Sequence, residues 1–326
     1  MTGRDYADHG ANGRITATDT FAEDYLANQQ TLAAPVSVSG IGLHTGVKVN
    51  LRLLPAPANT GIQFRRTDLE GFIIEAQSRH VARVSYATSL MKRGVLISTT
   101  EHLLSALAGL DVDNVVVELD NLELPILDGS ARPFVELVTE AGIRRQRARR
   151  NFIKVLKPLE VVDGSRRIIA YPSDSFRVSY RIAFPHPAIG EQFFEFDSRS
   201  MTYAAEIAPA RTFGFLQELE VLRRNGLIKG GSLSNAVVLD SKGVVNPEGL
   251  RFPDEFCRHK LLDLIGDFSL LGHPLIGHVV AQRAGHAMHA QFVTRLLREK
   301  HSWQLTANPE AVSAPVFEPD PVLAGV

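Results

Sequence analysis

The sequence is poor in several features. It has one cysteine, Cys257, in 326 residues. That excludes an internal disulfide and suits a reducing compartment. No stretch approaches the roughly 20 consecutive apolar residues of a membrane-spanning helix. The first residues, Met-Thr-Gly-Arg-Asp-Tyr-Ala-Asp-His, lack an apolar core for export. Charge of either sign is not in excess: 35 basic residues stand against 36 acidic ones, a net −1. Nothing in that balance calls for nucleic acid as a partner. The absences leave a cytoplasmic protein as the expectation. What is plentiful is apolar, 44% of residues, and over this length that supports two domains with a core each.

The pattern along the chain predicts a flexible extension over 1–30, domain I over 31–148, domain II over 149–303 and a flexible tail over 304–326, with folded structure beginning near Ala34. Alternation predicts strands over 36–38, 47–53 and 62–66, then 114–119. Ser98 and Glu101 have the spacing of a capping box, which opens a helix ending near Gly109. Pro133 opens a second helix that Gly142 ends. Five arginines fall in 144–150, read as a solvated linker at the domain boundary. Strands follow over 152–162, 167–171, 177–184 and 192–196. A helical pattern occupies 212–225, and a short buried strand 236–239. Pro253 opens a helix to about Leu271; a strand over 276–282 and a helix over 286–299 complete the order. Both halves thus begin with strands and end helix, strand, helix, which predicts two domains of similar topology.

The chemistry gathers on the helix from Pro253. His259, Asp263 and Asp267 recur at i, i+4 and i+8, on one face. A stacked imidazole and carboxylate can share a metal ion, and zinc accepts both. Read alone, the pair is a solvated hydrogen-bonded one. Glu101-His102 likewise reads as a helix cap beside a structural histidine. The functional reading makes His102 the third ligand and Glu101 a general base, since a catalytic zinc takes three protein ligands and keeps one position open. Thr212 is a helix cap or a hydroxyl that polarises a carbonyl. Lys260 is a solvated lysine or a contact to an anion. His286, at a helix N-terminus, needs a carboxylate such as Asp267 to stay cationic. His80, His273, His278 and His289 read as surface or structural residues.

In order, Gly42-Leu-His-Thr-Gly46, Pro55 to Gly61, Thr100-Glu-His102, Asp128-Gly-Ser130, Arg211-Thr-Phe-Gly-Phe215, Leu250 to Asp263, Gly266-Asp267 and Gly285-His-Ala287 resemble the UDP-3-O-acyl-N-acetylglucosamine deacetylases of bacterial lipid A synthesis. The resemblance spans about 30–300. It implies an α+β fold of two similar domains, each a mainly antiparallel sheet with paired helices, the helices packed between the sheets, and a small insert in each, near 70–97 and 187–232. It implies zinc, or ferrous iron, on His102, His259 and Asp263. Glu101 then matches the general base, His286 the histidine that protonates the leaving amine or stabilises the oxyanion, and Asp267 its partner. Thr212 contacts the substrate carbonyl, Phe213 lies beside the sugar, Lys260 lies near the diphosphate, and His44 lies near the metal site. The implied substrate is an acylated UDP-amino sugar, the implied protein a monomer with at most transient membrane contact. The alternatives from the residues are a zinc amidase for another N-acylated sugar and a non-catalytic nucleotide-sugar or lipid binding protein. The match is loose around Tyr86-Ala-Thr-Ser-Leu90, so acyl-chain preference stays open.

Overall fold

The computed structural model describes residues 28–312. The outer parts of the expected extension and tail, 1–27 and 313–326, lie outside the described residues. The helices are α1 (Glu101–Gly109), α2 (Arg132–Ala141), α3 (Tyr203–Glu206), α4 (Leu216–Arg224), α5 (Glu255–Phe268) and α6 (His286–Arg298).

Two units of one plan follow each other. In the first, the hairpin of Val36–Ile41 and Lys48–Pro55 and the hairpin of Ile62–Arg66 and Phe72–Glu75 flank a central strand, Val115–Leu119. That strand runs antiparallel to Lys48–Pro55 and parallel to Ile62–Arg66. In the second, Leu159–Asp163 with Arg166–Tyr171 and Phe176–Phe184 with Gly190–Asp197 flank Leu275–Gln282. The central strand is again antiparallel to one hairpin and parallel to the other. In each unit the chain enters the central strand from one helix and leaves into the next: α1 and α2, then α5 and α6. The α+β fold of two similar halves follows, with one parallel pairing in the first mainly antiparallel sheet and two in the second, where Leu275–Gln282 also runs parallel to Phe152–Val155.

Alternation decides which strand faces point inward. Val49, Leu51 and Leu53 are buried while Lys48, Asn50 and Arg52 are exposed. Helices α1 and α5 are buried almost all round, as helices between two layers must be. Leu103, Leu104, Leu107, Leu261, Leu264 and Phe268 join one core that includes residues of both sheets. The two helices cross closely because Gly266 has no side chain. A Cβ there would sit 2.1 Å from the Glu101 carbonyl oxygen. Beside the crossing, Ser105 Oγ donates to the Leu262 carbonyl at 2.8 Å.

Several elements differ from the sequence reading. A strand already occupies Asn28–Leu32, upstream of Ala34, and pairs antiparallel with Ile143–Arg149. The arginine-rich stretch is therefore a strand. Arg144, Arg147 and Arg149 project to solvent while the backbone pairs, and Arg150 is buried against Asp111 and Asp113, both at 2.8 Å. Trp303–Thr306 is likewise a strand, on Phe152–Val155, so ordered structure continues past 303. Helix α5 begins at Glu255 rather than at Pro253. Phe213–Phe215 is a strand parallel to Val237–Leu239, with α4 between them. Its aromatic side chains pack on Phe184, at ring separations of 5.7 and 6.1 Å, which favours extended backbone over helix. Gly190–Asp197 belongs to the main sheet, so the second insertion lies between Asp197 and Glu255. The first holds a small sheet of Val81–Arg83, Ser89–Lys92 and Val95–Ile97.

Candidate metal centre and active site

The α1–α5 crossing brings His102 to His259 and Asp263. The two imidazoles meet edge to face with ring centres 5.1 Å apart. His259 Nδ1 faces the Ala210 carbonyl at 3.1 Å, so it carries the ring proton and leaves Nε2 a free lone pair. That Nε2 is 3.3 Å from Asp263 Oδ1, and His102 Nε2 is 3.9 Å from the same oxygen. Lys260 Nζ takes the other oxygen, Oδ2, at 2.7 Å. His102 Nδ1 is buried with no hydrogen-bond partner.

This donor set fits a metal ion. Ligands about 2.1 Å from a tetrahedral zinc stand about 3.4 Å apart, and the ligand atoms here lie within 4.8 Å of one another. Protonation agrees. Burial, with His259 adding repulsion, drops His102 to about 3. Burial also lowers His259, against the pull of Asp263. Burial would raise the Asp263 carboxyl, but His259, Lys260, His286 and His102 hold it below the usual carboxylate range. Two neutral imidazoles and one carboxylate are the forms that ligate.

Glu101 does not cap its helix. No side chain caps the α1 N-terminus. The Ser98 backbone instead bridges to residues 122–124, its N–H donating to Leu122 O and its carbonyl accepting Leu124 N–H. The Glu101 carboxylate turns into the cleft, where Oε2 accepts the Thr88 amide at 3.0 Å and Oε1 is 4.0 Å from His286 Nε2. Burial raises Glu101 to about 7, with His286 opposing. A carboxyl near neutrality can both take and return a proton at working pH. His286 is the counterpart. Burial works against its charge, but Asp267 and then Asp263 carry it up to about 9. Its Nδ1 donates to Asp267 Oδ2 at 2.7 Å, and its Nε2 looks toward Glu101 and Asp263.

Glu101, His102, His259, Asp263 and His286 line a cleft of about 340 Å³, together with Thr212, Phe213, Lys260, Tyr86 and Arg166. A family model described as UDP-3-O-acyl N-acetylglycosamine deacetylase (LpxC) matches residues 29–298. The chain belongs to that family. Among proteins named UDP-3-O-acyl-N-acetylglucosamine deacetylase, that of Solibacter usitatus is 53% identical over 277 residues, covering 85% of this chain and 94% of its own. That of Syntrophotalea carbinolica is 48% identical, covering 87% and 93%. That of Pseudoalteromonas atlantica is 46% identical, covering 92% and 100%.

Thr212, Phe213 and Lys260 lie in the wall of this cleft. Thr212 is fixed by its backbone, its N–H donating to Gly129 O at 2.8 Å and its carbonyl accepting Val237 N–H at 2.8 Å. Gly129 has φ 82°, and a Cβ there would strike the Asn235 carbonyl at 2.1 Å. Upstream, Arg211 is locked by Glu255, which accepts its backbone N–H at 3.0 Å and its Nε at 2.9 Å. Phe213 packs on Phe256 and lies 5.7 Å beneath the Lys260 ammonium. Leu43, rather than His44, lines the cleft. The loop is pinned by Glu123, which accepts the His44 and Thr45 amides at 2.8 Å each. Both His44 ring nitrogens are buried without a partner, and burial lowers its proton affinity.

The sequence reading missed Thr88 and His289. Thr88 serves Glu101 with its amide and Asp267 Oδ1 with its hydroxyl, at 2.5 Å. Nothing in Ala87-Thr-Ser89 signals that role. His289 was legible, three residues after His286 on one helix face. The sequence gives it no supporting context, so it reads as a surface or structural residue.

Proposed function

We propose that this chain hydrolyses the 2-acetamido group of a UDP-glucosamine bearing a 3-O-hydroxyacyl chain, releasing acetate and the free amine, the committed step of lipid A synthesis. The observation that carries the reading is the meeting of Glu101, His102, His259, Asp263 and His286 in one cleft. The names of the relatives supply the substrate. Among the described residues no helix is long and apolar enough to cross a membrane. We place the protein in the cytoplasm as a monomer that meets its amphipathic substrate by brief contact at the membrane surface.

His102, His259 and Asp263 would hold zinc, ferrous iron being the other ion these donors suit. Such an ion, when bound, polarises the acetyl carbonyl and acidifies water. Glu101 takes the proton of the attacking water. The Thr212 hydroxyl donates to the oxygen on which charge develops. His286, kept cationic by Asp267, places positive charge on the same side of the cleft. The proton for the leaving nitrogen comes from Glu101 or from His286 Nε2. Lys260 meets the diphosphate, Phe213 lies beside the sugar, and His44 lends secondary support near the metal.

The test is metal content and deacetylation by the purified chain beside His259→Ala. The parent should hold about one ion per chain, and the variant should lose ion and activity together. Undiminished turnover by His259→Ala would remove that ligand and the assignment with it.

A further inference from the structure

His289 lies one turn beyond His286 on α6 and is fully buried. Its Nδ1 is 2.8 Å from Asp267 Oδ2, the oxygen that also receives His286 Nδ1. Its Nε2 is 3.2 Å from the Tyr180 hydroxyl, which lies 3.0 Å from the Ala284 carbonyl. Phe268 stands edge-on to the ring at 6.3 Å. His289 is not among the residues that line the cleft.

An ionised carboxylate only accepts hydrogen bonds, so both imidazoles must present an N–H to Oδ2. Burial lowers the proton affinity of His289, although Asp267 opposes this. The ring then has one proton, and the carboxylate requires it on Nδ1. Nε2 is left as a lone pair, and the single Tyr180 hydroxyl proton is shared between it and the Ala284 carbonyl. A metal ion on Asp267, His286 and His289 fits less well. The nitrogen–oxygen separations of 2.7 and 2.8 Å are hydrogen-bond lengths, shorter than the roughly 3.4 Å between ligands of one zinc.

We propose that His289 is a positioning residue for the deacetylation site. Its Nδ1–H anchors Asp267 Oδ2 from within the core, while Thr88 holds Oδ1. The carboxylate cannot turn, and it meets His286 Nδ1 in one orientation that directs His286 Nε2 into the cleft. Without the anchor, Oδ2 loses one of its two donors and the His286 ring its fixed aim. This inference rests on the reading of His286 as a charged group acting in the cleft.

Asparagine places its amide nitrogen about where imidazole Nδ1 stands; glutamine places it nearer Nε2. Full-length, metal-loaded His289→Asn should keep kcat within about threefold of the parent, whereas His289→Gln and His289→Leu should lose about tenfold or more at unchanged KM. The imidazole nitrogen shifts of His289 should report the Nδ1–H tautomer. Parental kcat in the glutamine or leucine variant overturns the proposal. So does an asparagine variant as impaired as the leucine one, or an Nε2–H tautomer. Should the leucine variant fail to fold, the asparagine–glutamine pair decides. His286→Ala, run in parallel, separates the two levels. If it keeps full kcat, the reading of His286 itself is lost; if it is impaired while His289→Gln is not, only the positioning role is lost.

Discussion

Asp267 accepts three hydrogen bonds on two oxygens, and that crowding sets its charge. Burial alone would raise its carboxyl, but His286 and His289 hold it at about 2. His286, opposed by burial, is carried to about 9. A depressed carboxyl stabilises the fold above its ordinary value, near 4, and loses that contribution as pH falls through about 2. A raised imidazole stabilises below its ordinary value, near 6.5, and loses that as pH rises through about 9. The pair contributes fully between about pH 4 and pH 6.5. In the metal-free protein, Asp267→Asn should cost on the order of 2 kcal/mol in that window by urea unfolding, with the gap narrowing on both sides. A gap that stayed constant with pH would rule out this charge pairing. A second expectation concerns turnover: if His286 is the acid, His286→Ala should remove the basic limb of the pH–rate profile, and an unchanged limb would leave that role to Glu101. At this scale the sequence revealed which side chains could act, not which way they face. Glu101 has the spacing of a cap, and only the Thr88 amide and the neighbouring helix show why it turns inward.

Among elements, the α1–α5 crossing decides whether there is a site at all. The sequence made both helices legible, α1 from the Ser98–Glu101 spacing and α5 from Pro253 and its apolar stripe, and i, i+4 spacing put His259 and Asp263 together. It could not show the crossing, because a glycine inside a helical pattern carries no label for what lies against it. Gly266→Ala should force the helices apart against rigid backbone, costing about 1–3 kcal/mol and weakening metal binding, because His102 would draw away from His259 and Asp263. Thermal unfolding and metal titration read the two effects. A variant with parental affinity for the metal would show that the crossing tolerates more than its geometry suggests. The arginine-rich strand was hidden for a related reason. Its solvent-facing residues dominate the composition, while the backbone pairing that makes it a strand depends on residues more than a hundred positions earlier.

Across the whole molecule, one core joins the two halves. Arg251 of the second half also reaches Asp128 of the first at 2.9 Å. The proposed metal ligands are divided in the same way, His102 from one half and His259 and Asp263 from the other. An ion bound only by the assembled pair stabilises the whole fold by mass action. Chelation should therefore lower the midpoint of a single cooperative unfolding transition by several degrees, and His259→Ala should remove the sensitivity to chelator. Melting of the first half apart from the second would contradict this coupling.

The pairing of Asn28–Leu32 with Ile143–Arg149, and of Phe152–Val155 with Trp303–Thr306, means that the first strand of each half is matched by its last. During synthesis each half must wait for its own end. The first can seal itself while the second is still being made, and the second seals only once Trp303–Thr306 has left the ribosome. His102 would then stand for some time in a finished half with nothing to share an ion with. An ion held by the proposed ligands would be the last component to arrive, and its capture would mark the moment at which both halves are closed.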